Sequence, residues 1–163
     1  MATTYEPIAT TTLGSAAADV TFSSIVGTYT DLVLVVNGGI VNSSQDLSLR
    51  FNSDSGTNYS DTSLQGFAGG ATSSRQSNTN KMYLDEAGAP TTLVGTYIIN
   101  VFNYSNSTTY KTVISRFSNG GSTASALVGL WRSTSAITSI IVAATSGNLL
   151  SGSTFTLYGI KAA

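Results

Sequence analysis

Thr96–Phe117, TYIINVFNYSNSTTYKTVISRF, leaves this chain the fewest structural options. Tyr, Ile, Val, Phe and Thr fill two arms, roughly Thr96–Phe102 and Thr109–Phe117, and such residues suit a pleated, half-buried surface. Between the arms lies Asn103-Tyr104-Ser105-Asn106-Ser107-Thr108. Asn and Ser side chains there can bond their own backbone and favour a turn over a strand. The stretch is a β-hairpin, and it is expected at the middle of a β-sandwich.

The rest of the chain repeats that grammar. Tyr5–Leu13 reads as a first strand, with Pro7 near its start, where a sheet tolerates proline. Val20–Phe22 makes a short second strand. Asp31–Asn37, DLVLVVN, is a continuous apolar run closed by Gly38-Gly39, as expected of a central strand covered on both faces. Asp46–Asn52 alternates, with Leu47, Leu49 and Phe51 facing one way and Ser48 and Arg50 the other. Asn52–Ser60 is expected to be a loop, and Gly66–Asn80 a second loop and the foremost candidate for a mobile or partner-contacting segment. Lys81–Leu84 reads as a short strand and Asp85–Pro90 as a turn. Ser122–Trp131, Ala136–Ala143 and Ser153–Lys161 close the sheet, with Gly147 and Gly152 in the last connection. No window has a helical period, and no linker, charge block or repeat divides the chain. One all-β domain over residues 1–163 follows, a single antiparallel β-sandwich of jelly-roll type.

Composition then removes whole classes of function. There is no Cys and no His, so disulfides, thiolate or imidazole metal sites, Cys nucleophiles and Ser-His-Asp arrangements are excluded together. Charged residues are only 9% and the net charge is −1; 25 Ser and 24 Thr supply the polarity instead. A surface of neutral hydroxyls has little long-range field, which argues against nucleic acid as a partner. The longest apolar runs, such as Leu32–Val36, are too short to span a bilayer. The opening residues carry no basic segment followed by an apolar run, so no secretory signal is read and a soluble protein or assembly is expected.

Few residues are candidates for chemistry. Asp54 and Asp61 are close enough in sequence to approach across a loop, and Asp85 and Glu86 are adjacent. Paired acids serve glycoside hydrolysis only when held at fixed separation across a cleft, and neighbours in extended chain point apart. Asn52-Ser53-Asp54-Ser55-Gly56 is oxygen-rich and Gly-bent like a calcium loop, yet lacks the downstream bidentate Glu; a network of Asx turns explains it as well. Asn-x-Ser/Thr triplets at Asn42, Asn58, Asn103 and Asn106 need nothing beyond the abundance of Ser and Thr. Trp131 with Tyr59, Tyr83, Tyr104 and Tyr110 would make a sugar-stacking platform if exposed, but Trp131 beside Leu130 and Val128 in a strand suits a core or inter-subunit position better. Arg50, Arg116 and Arg132 are dispersed and make no phosphate site. No catalytic residue, metal or cofactor is expected. Trp131, Tyr104, Tyr110, Tyr59 and Asp54 remain as interface or binding candidates.

Ala126–Ser133 (ALVGLWRS), Ile137–Val142 (ITSIIV) and Gly152–Lys161 (GSTFTLYGIK) resemble the closing strands of uncharacterised virion proteins of tailed bacteriophages, of the marine phage and cyanophage type. The opening MATTYEPIATTTLGSAAADVTFSSI, LRFNSDSGTNYS and FNYSNSTTYKTVISR resemble the same group, so the similarity spans most of the chain except Gly66–Asn80. It implies a non-enzymatic structural protein of the virion, on the capsid exterior or the tail, with other virion proteins as partners. It carries no catalytic residues. The fold is expected to run from Tyr5 to Lys161 without a stem or shaft, which favours a capsid decoration (cement) protein that self-associates, by analogy as a trimer. The alternative is a tail or fibre module that binds a host receptor or surface glycan.

Overall fold

The computed structural model describes residues 4–39, 46–84, 91–92 and 95–161. Among these residues there are twelve strands and no helix. The strands are β1 Tyr5–Thr12, β2 Asp19–Phe22, β3 Asp31–Gly38, β4 Leu47–Phe51, β5 Tyr59–Phe67 and β6 Gly70–Thr79. After these come β7 Met82–Tyr83, β8 Gly95–Phe102, β9 Lys111–Asn119, β10 Thr123–Trp131, β11 Ile140–Ala144 and β12 Thr154–Ile160.

The strands form an eight-stranded sheet, β1-β12-β3-β8-β9-β10-β5-β6, and a four-stranded sheet, β2-β11-β4-β7. All pairings are antiparallel. Early strands pair with late ones: β1 with β12, β2 with β11, β5 with β10. The chain therefore winds as a doubled ribbon between two sheets, the jelly-roll arrangement read from the sequence. The β8–β9 hairpin occupies the two central positions of the large sheet, as expected from its apolar arms.

Period-two alternation builds the core. Leu32, Leu34 and Val36 of β3, Tyr97, Ile99 and Val101 of β8, and Phe155 and Leu157 of β12 point inward from the large sheet. Val20 and Phe22 of β2, Leu47, Leu49 and Phe51 of β4, and Ile140 and Val142 of β11 meet them from the small sheet in one continuous cluster. Each such side chain contributes about 1.5–3 kcal/mol by leaving water.

Two expectations need correction. Gly66–Asn80 is not a loop: Gly70–Thr79 is the longest strand, folded onto β5 through the two-residue turn Ala68-Gly69. Its sequence, GATSSRQSNT, has no apolar side chain larger than Ala71 and so no apolar alternation, and most of it is exposed on both faces. It is held by backbone pairing to β5 and not by burial. Likewise only the second half of Ala136–Ala143 is strand. The first half is taken by Asn52, whose Oδ1 accepts from the amides of Thr138 (2.8 Å) and Ser139 (3.1 Å) while its Nδ2 donates to the Ala136 carbonyl (2.8 Å). The Asp85–Pro90 turn, Asp85, Glu86 and Asn42 lie outside the described residues.

β7 is pressed against β10 where the latter has no side chain. A Cβ on Gly129 would land on the thioether of Met82, a residue with no exposed surface. Gly129→Ala is therefore expected to cost about 1–3 kcal/mol as overpacking, read as a lowered denaturation midpoint. Met82→Ala in the same chain should recover part of that loss. Strictly additive losses would mean that Met82 is not what Gly129 accommodates.

Candidate functional site

The interface candidates read from the sequence separate into an inside set and an outside set. Trp131 stacks on Tyr59 with ring centroids 6.3 Å apart and tilts against Phe51 at 5.4 Å; all three are buried. Tyr104 is also buried. It folds the β8–β9 turn back onto the chain, its hydroxyl donating to the Val26 carbonyl and accepting from the Tyr29 amide at 3.3 Å. Trp131, Tyr59 and Tyr104 are thus internal to this chain and present no ring to a partner. Tyr110 alone of the four aromatic candidates is exposed, at 54%.

Asp54 serves the same buried cluster. Its carboxylate accepts from the Trp131 indole N–H (2.7 Å), the Asn58 side-chain amide (2.9 Å) and the Gly56 backbone amide (2.8 Å). Partial burial pushes its pKa up, but these three donors outweigh that and hold it below the ordinary value. Both oxygens are committed to N–H donors, so the Asn52–Gly56 segment works as an Asx-type turn and not as a cation cage. Among the described residues no group of three acidic or otherwise metal-ligating side chains occurs. Asp61 is buried under the small sheet, where it accepts from the Tyr83 amide at 3.3 Å, so it cannot face a substrate together with Asp54.

An exposed apolar feature lies on the outer face of the large sheet, at its β9-β10-β5-β6 end. Register sets it out in rows. Leu64, Ala126 and Arg116 stand side by side; Thr62, Val128, Ile114 and Asn100 form the next row. Leu64 is 64% exposed, Val128 58% and Ile114 40%. Alongside Leu64, the small residues Gly66, Ala71, Ala124 and Ala126 floor a shallow, mainly apolar groove of about 490 Å³. Arg75 edges a neighbouring depression of about 170 Å³ lined by Ser60, Thr62 and Thr112.

This surface arises because the polarity of β5 is inverted. Asp61, Ser63 and Gln65 point inward, and Leu64 points outward. The hydroxyls of Ser63, Ser115 and Ser125 are buried without a hydrogen-bond partner on the inner side of the same three strands. The sequence carried one signal of the outer face: in TASALVGLW the apolar residues do not alternate, so both of its faces carry apolar side chains, including the one the structure leaves in water.

Two cationic features were not foreseen. Arg50 and Lys81 share a depression of about 220 Å³ on the outer face of the small sheet with Ser48, Ile141 and Thr145. Burial and then the Arg50 guanidinium push the Lys81 pKa down. Lys111 is wholly buried, its ammonium donating to the carbonyls of Thr109 (2.8 Å) and Thr134 (3.2 Å), and desolvation lowers its pKa. Arg132 is committed to the β5–β6 end, donating to the Thr57 carbonyl (2.8 Å) and Asn78 Oδ1 (3.0 Å).

No protein-family model and no curated protein sequence matches this chain. Among solved structures it is similar to the galectin LEC-6 of Caenorhabditis elegans, at a TM-score of 0.35 and 13% identity over 91% of this chain and 94% of the galectin. It is also similar to the exo-inulinase of Aspergillus awamori, at 0.37 and 13% identity over 96% of this chain but 29% of the enzyme. A subviral particle protein, VP2 of infectious bursal disease virus, is similar at 0.16 and 11% identity over 96% of this chain and 41% of that protein. Similarity at this level transfers no activity or ligand to this chain.

Two outcomes test the Asp54 cluster. Asp54→Asn replaces one acceptor oxygen by an N–H group that opposes the indole or Asn58 donor, and should cost about 1–3 kcal/mol in urea unfolding followed by the emission of Trp131, the single tryptophan. An unchanged midpoint would remove Asp54 from the account of the core. Burial, opposed by the Phe51 hydrogen bond and reinforced by Asp54, pushes the Tyr59 hydroxyl up to about 12 from its ordinary 10.0. The unfolded chain then loses this proton first, so stability should fall as pH rises from about 10 towards 12. Tyr59→Phe should lower stability at neutral pH and flatten that alkaline slope, measured as denaturation midpoints against pH.

Proposed function

We propose that this chain is a non-enzymatic structural protein of a tailed-phage virion, acting as a decoration (cement) protein on the capsid exterior. The observation that carries this reading is the pair of adjacent rows that expose Leu64, Val128 and Ile114 on one sheet face. Contiguous apolar side chains kept in water on one face are what a protein-binding surface requires. The sequence similarity described above supplies the virion as its setting. A partner surface that buries this face only in the assembled lattice would be stabilised by mass action, because the protein binds the lattice and not separated subunits. The non-enzymatic part of the reading is supported by the two acids that could have met across a loop: Asp54 is saturated with N–H donors and Asp61 is closed off from solvent.

A second reading, a tail module that binds a receptor or host glycan, rests on Tyr110, the one exposed ring among the sequence candidates. One ring without a neighbouring ring offers less stacking than a platform. Loss of glycan-array signal on Tyr110→Ala would favour this module over decoration.

Quantitative mass spectrometry of purified particles is the direct test. The expected result is a copy number on the scale of the major capsid protein. A handful of copies per particle would place the chain on the tail and overturn decoration. The combined variant Leu64→Ser, Ile114→Thr and Val128→Thr should stay folded with only a small fall in melting temperature, since Leu64 and Val128 are mostly in water and Ile114 is partly so. Its occupancy on particles should fall about tenfold or more, because it loses three apolar side chains from the contact.

A further inference from the structure

A β-sandwich has four sheet edges, and three of these are blunted. The small sheet ends in β2, of four residues, and β7, of two. The large sheet ends on one side in β1, which carries Pro7, an irregularity in register between Pro7 and Ala9, and the ion pair of Glu6 with Lys161 at 2.7 Å. Short strands, proline, bulges and edge charges are the devices by which sheets avoid pairing with other chains. The fourth edge is β6. It is ten residues long, has no proline and carries one charged side chain, Arg75. Its single departure from regular pairing is at Asn78, which leaves Gly70–Ser77 in regular register with β5. Among the described residues no strand pairs with its outer side.

We infer that β6 is a self-association edge, and that its occupant is the β6 strand of a second copy of this chain, antiparallel about a twofold axis. Three features select a second copy. First, the edge is polar and nearly neutral, so it holds an added strand by main-chain groups, and a strand of the same polar composition meets it without burying large apolar side chains. Second, β1 is guarded, so a head-to-tail chain of β6 onto β1 is blocked; β6 on β6 closes on itself. Third, an axis perpendicular to the sheet at Ser74 places Arg75 of each copy opposite Ser73 of the other, and keeps the two guanidinium groups out of direct opposition. Two eight-stranded sheets would then join as one of sixteen. The Leu64 and Val128 rows of both copies would lie on the same side of it, close to the junction. The inference deepens the proposed function by doubling its binding face, and it replaces the trimer expected by analogy with a dimer.

The register makes a signed test possible. The intact chain should sediment at twice the chain mass over a concentration series. Ser73 and Arg75 are exposed on the outer face, so substituting them leaves the core untouched. Ser73→Lys sets a like charge opposite Arg75 twice per dimer and should weaken the dimer about tenfold; Ser73→Glu should strengthen it. Ser73→Lys combined with Arg75→Glu should restore it. Melting temperatures would confirm that each variant is folded. A monomer throughout the series, a trimer, or dimer affinities that do not follow the charge pattern would overturn the proposal. The copy number on particles is independent of this experiment, so failure of the dimer and failure of the virion reading are distinguishable.

Discussion

Burial of the Trp131 indole is the interaction on which most of this structure depends. An indole carries one N–H donor, and without an acceptor that group would oppose burial by about 1–3 kcal/mol. Asp54 supplies the acceptor from the loop between β4 and β5. That contact joins three things at once. It lets the end of β10 enter the core against Phe51 and Tyr59, it fixes the loop, and it positions the Tyr59 hydroxyl to donate to the carbonyls of Phe51 (3.4 Å) and Asp54 (3.2 Å). With the start of β5 anchored there, the β5–β6 hairpin can extend from the sheet although its own side chains contribute little burial.

The two ends of the large sheet accordingly differ in what holds them. At β3, β8 and β12 the inner face is Leu, Val, Ile, Tyr and Phe, and apolar burial suffices. At β5, β9 and β10 the inner face mixes Tyr59, Leu127 and Trp131 with Ser63, Ser115, Ser125 and Gln65, while Leu64 of β5 and Val128 of β10 look outward. A hydroxyl buried without a partner is a net cost, so this end is held by strand pairing more than by its core. It is also the end that bears the exposed apolar rows and the open edge.

Where hydrophobic alternation and turn chemistry agree, the sequence is legible. Leu47, Leu49 and Phe51 give β4 its inward face, and Asn106 closes the central turn by accepting from the amides of Thr108 (2.7 Å) and Thr109 (2.9 Å). The signal disappears where a strand is stabilised by its neighbours. SSRQSNT has the composition of a loop, and only its pairing with β5 makes it a strand. The sequence left the aromatic candidates between core and interface for a related reason. Trp131 and Tyr59 are amphipathic, and nothing local distinguishes a ring at a surface from one whose polar atom meets an acceptor distant in sequence, as Trp131 meets Asp54. The outer face was hidden because it is assembled across strands: Leu64 and Val128 become neighbours only through the β5–β10 register.

Low charge connects these features. A sheet protein usually guards its edges with lysine, and this chain spends only 9% of its residues on charge. Edge protection must then come from geometry, and β1, β2 and β7 show it as proline, irregular register and brevity. Those devices all work by shortening or interrupting a strand. β6 cannot use them along most of its length, because regular pairing with β5 is what keeps the hairpin folded; its one irregularity comes at the Arg132-bound Asn78. A long, nearly neutral, regular edge in a chain otherwise careful with its edges is therefore a consequence of how β5 and β6 are stabilised, and covering it by an identical strand satisfies its main-chain groups while adding one charge, the second Arg75, opposite a serine.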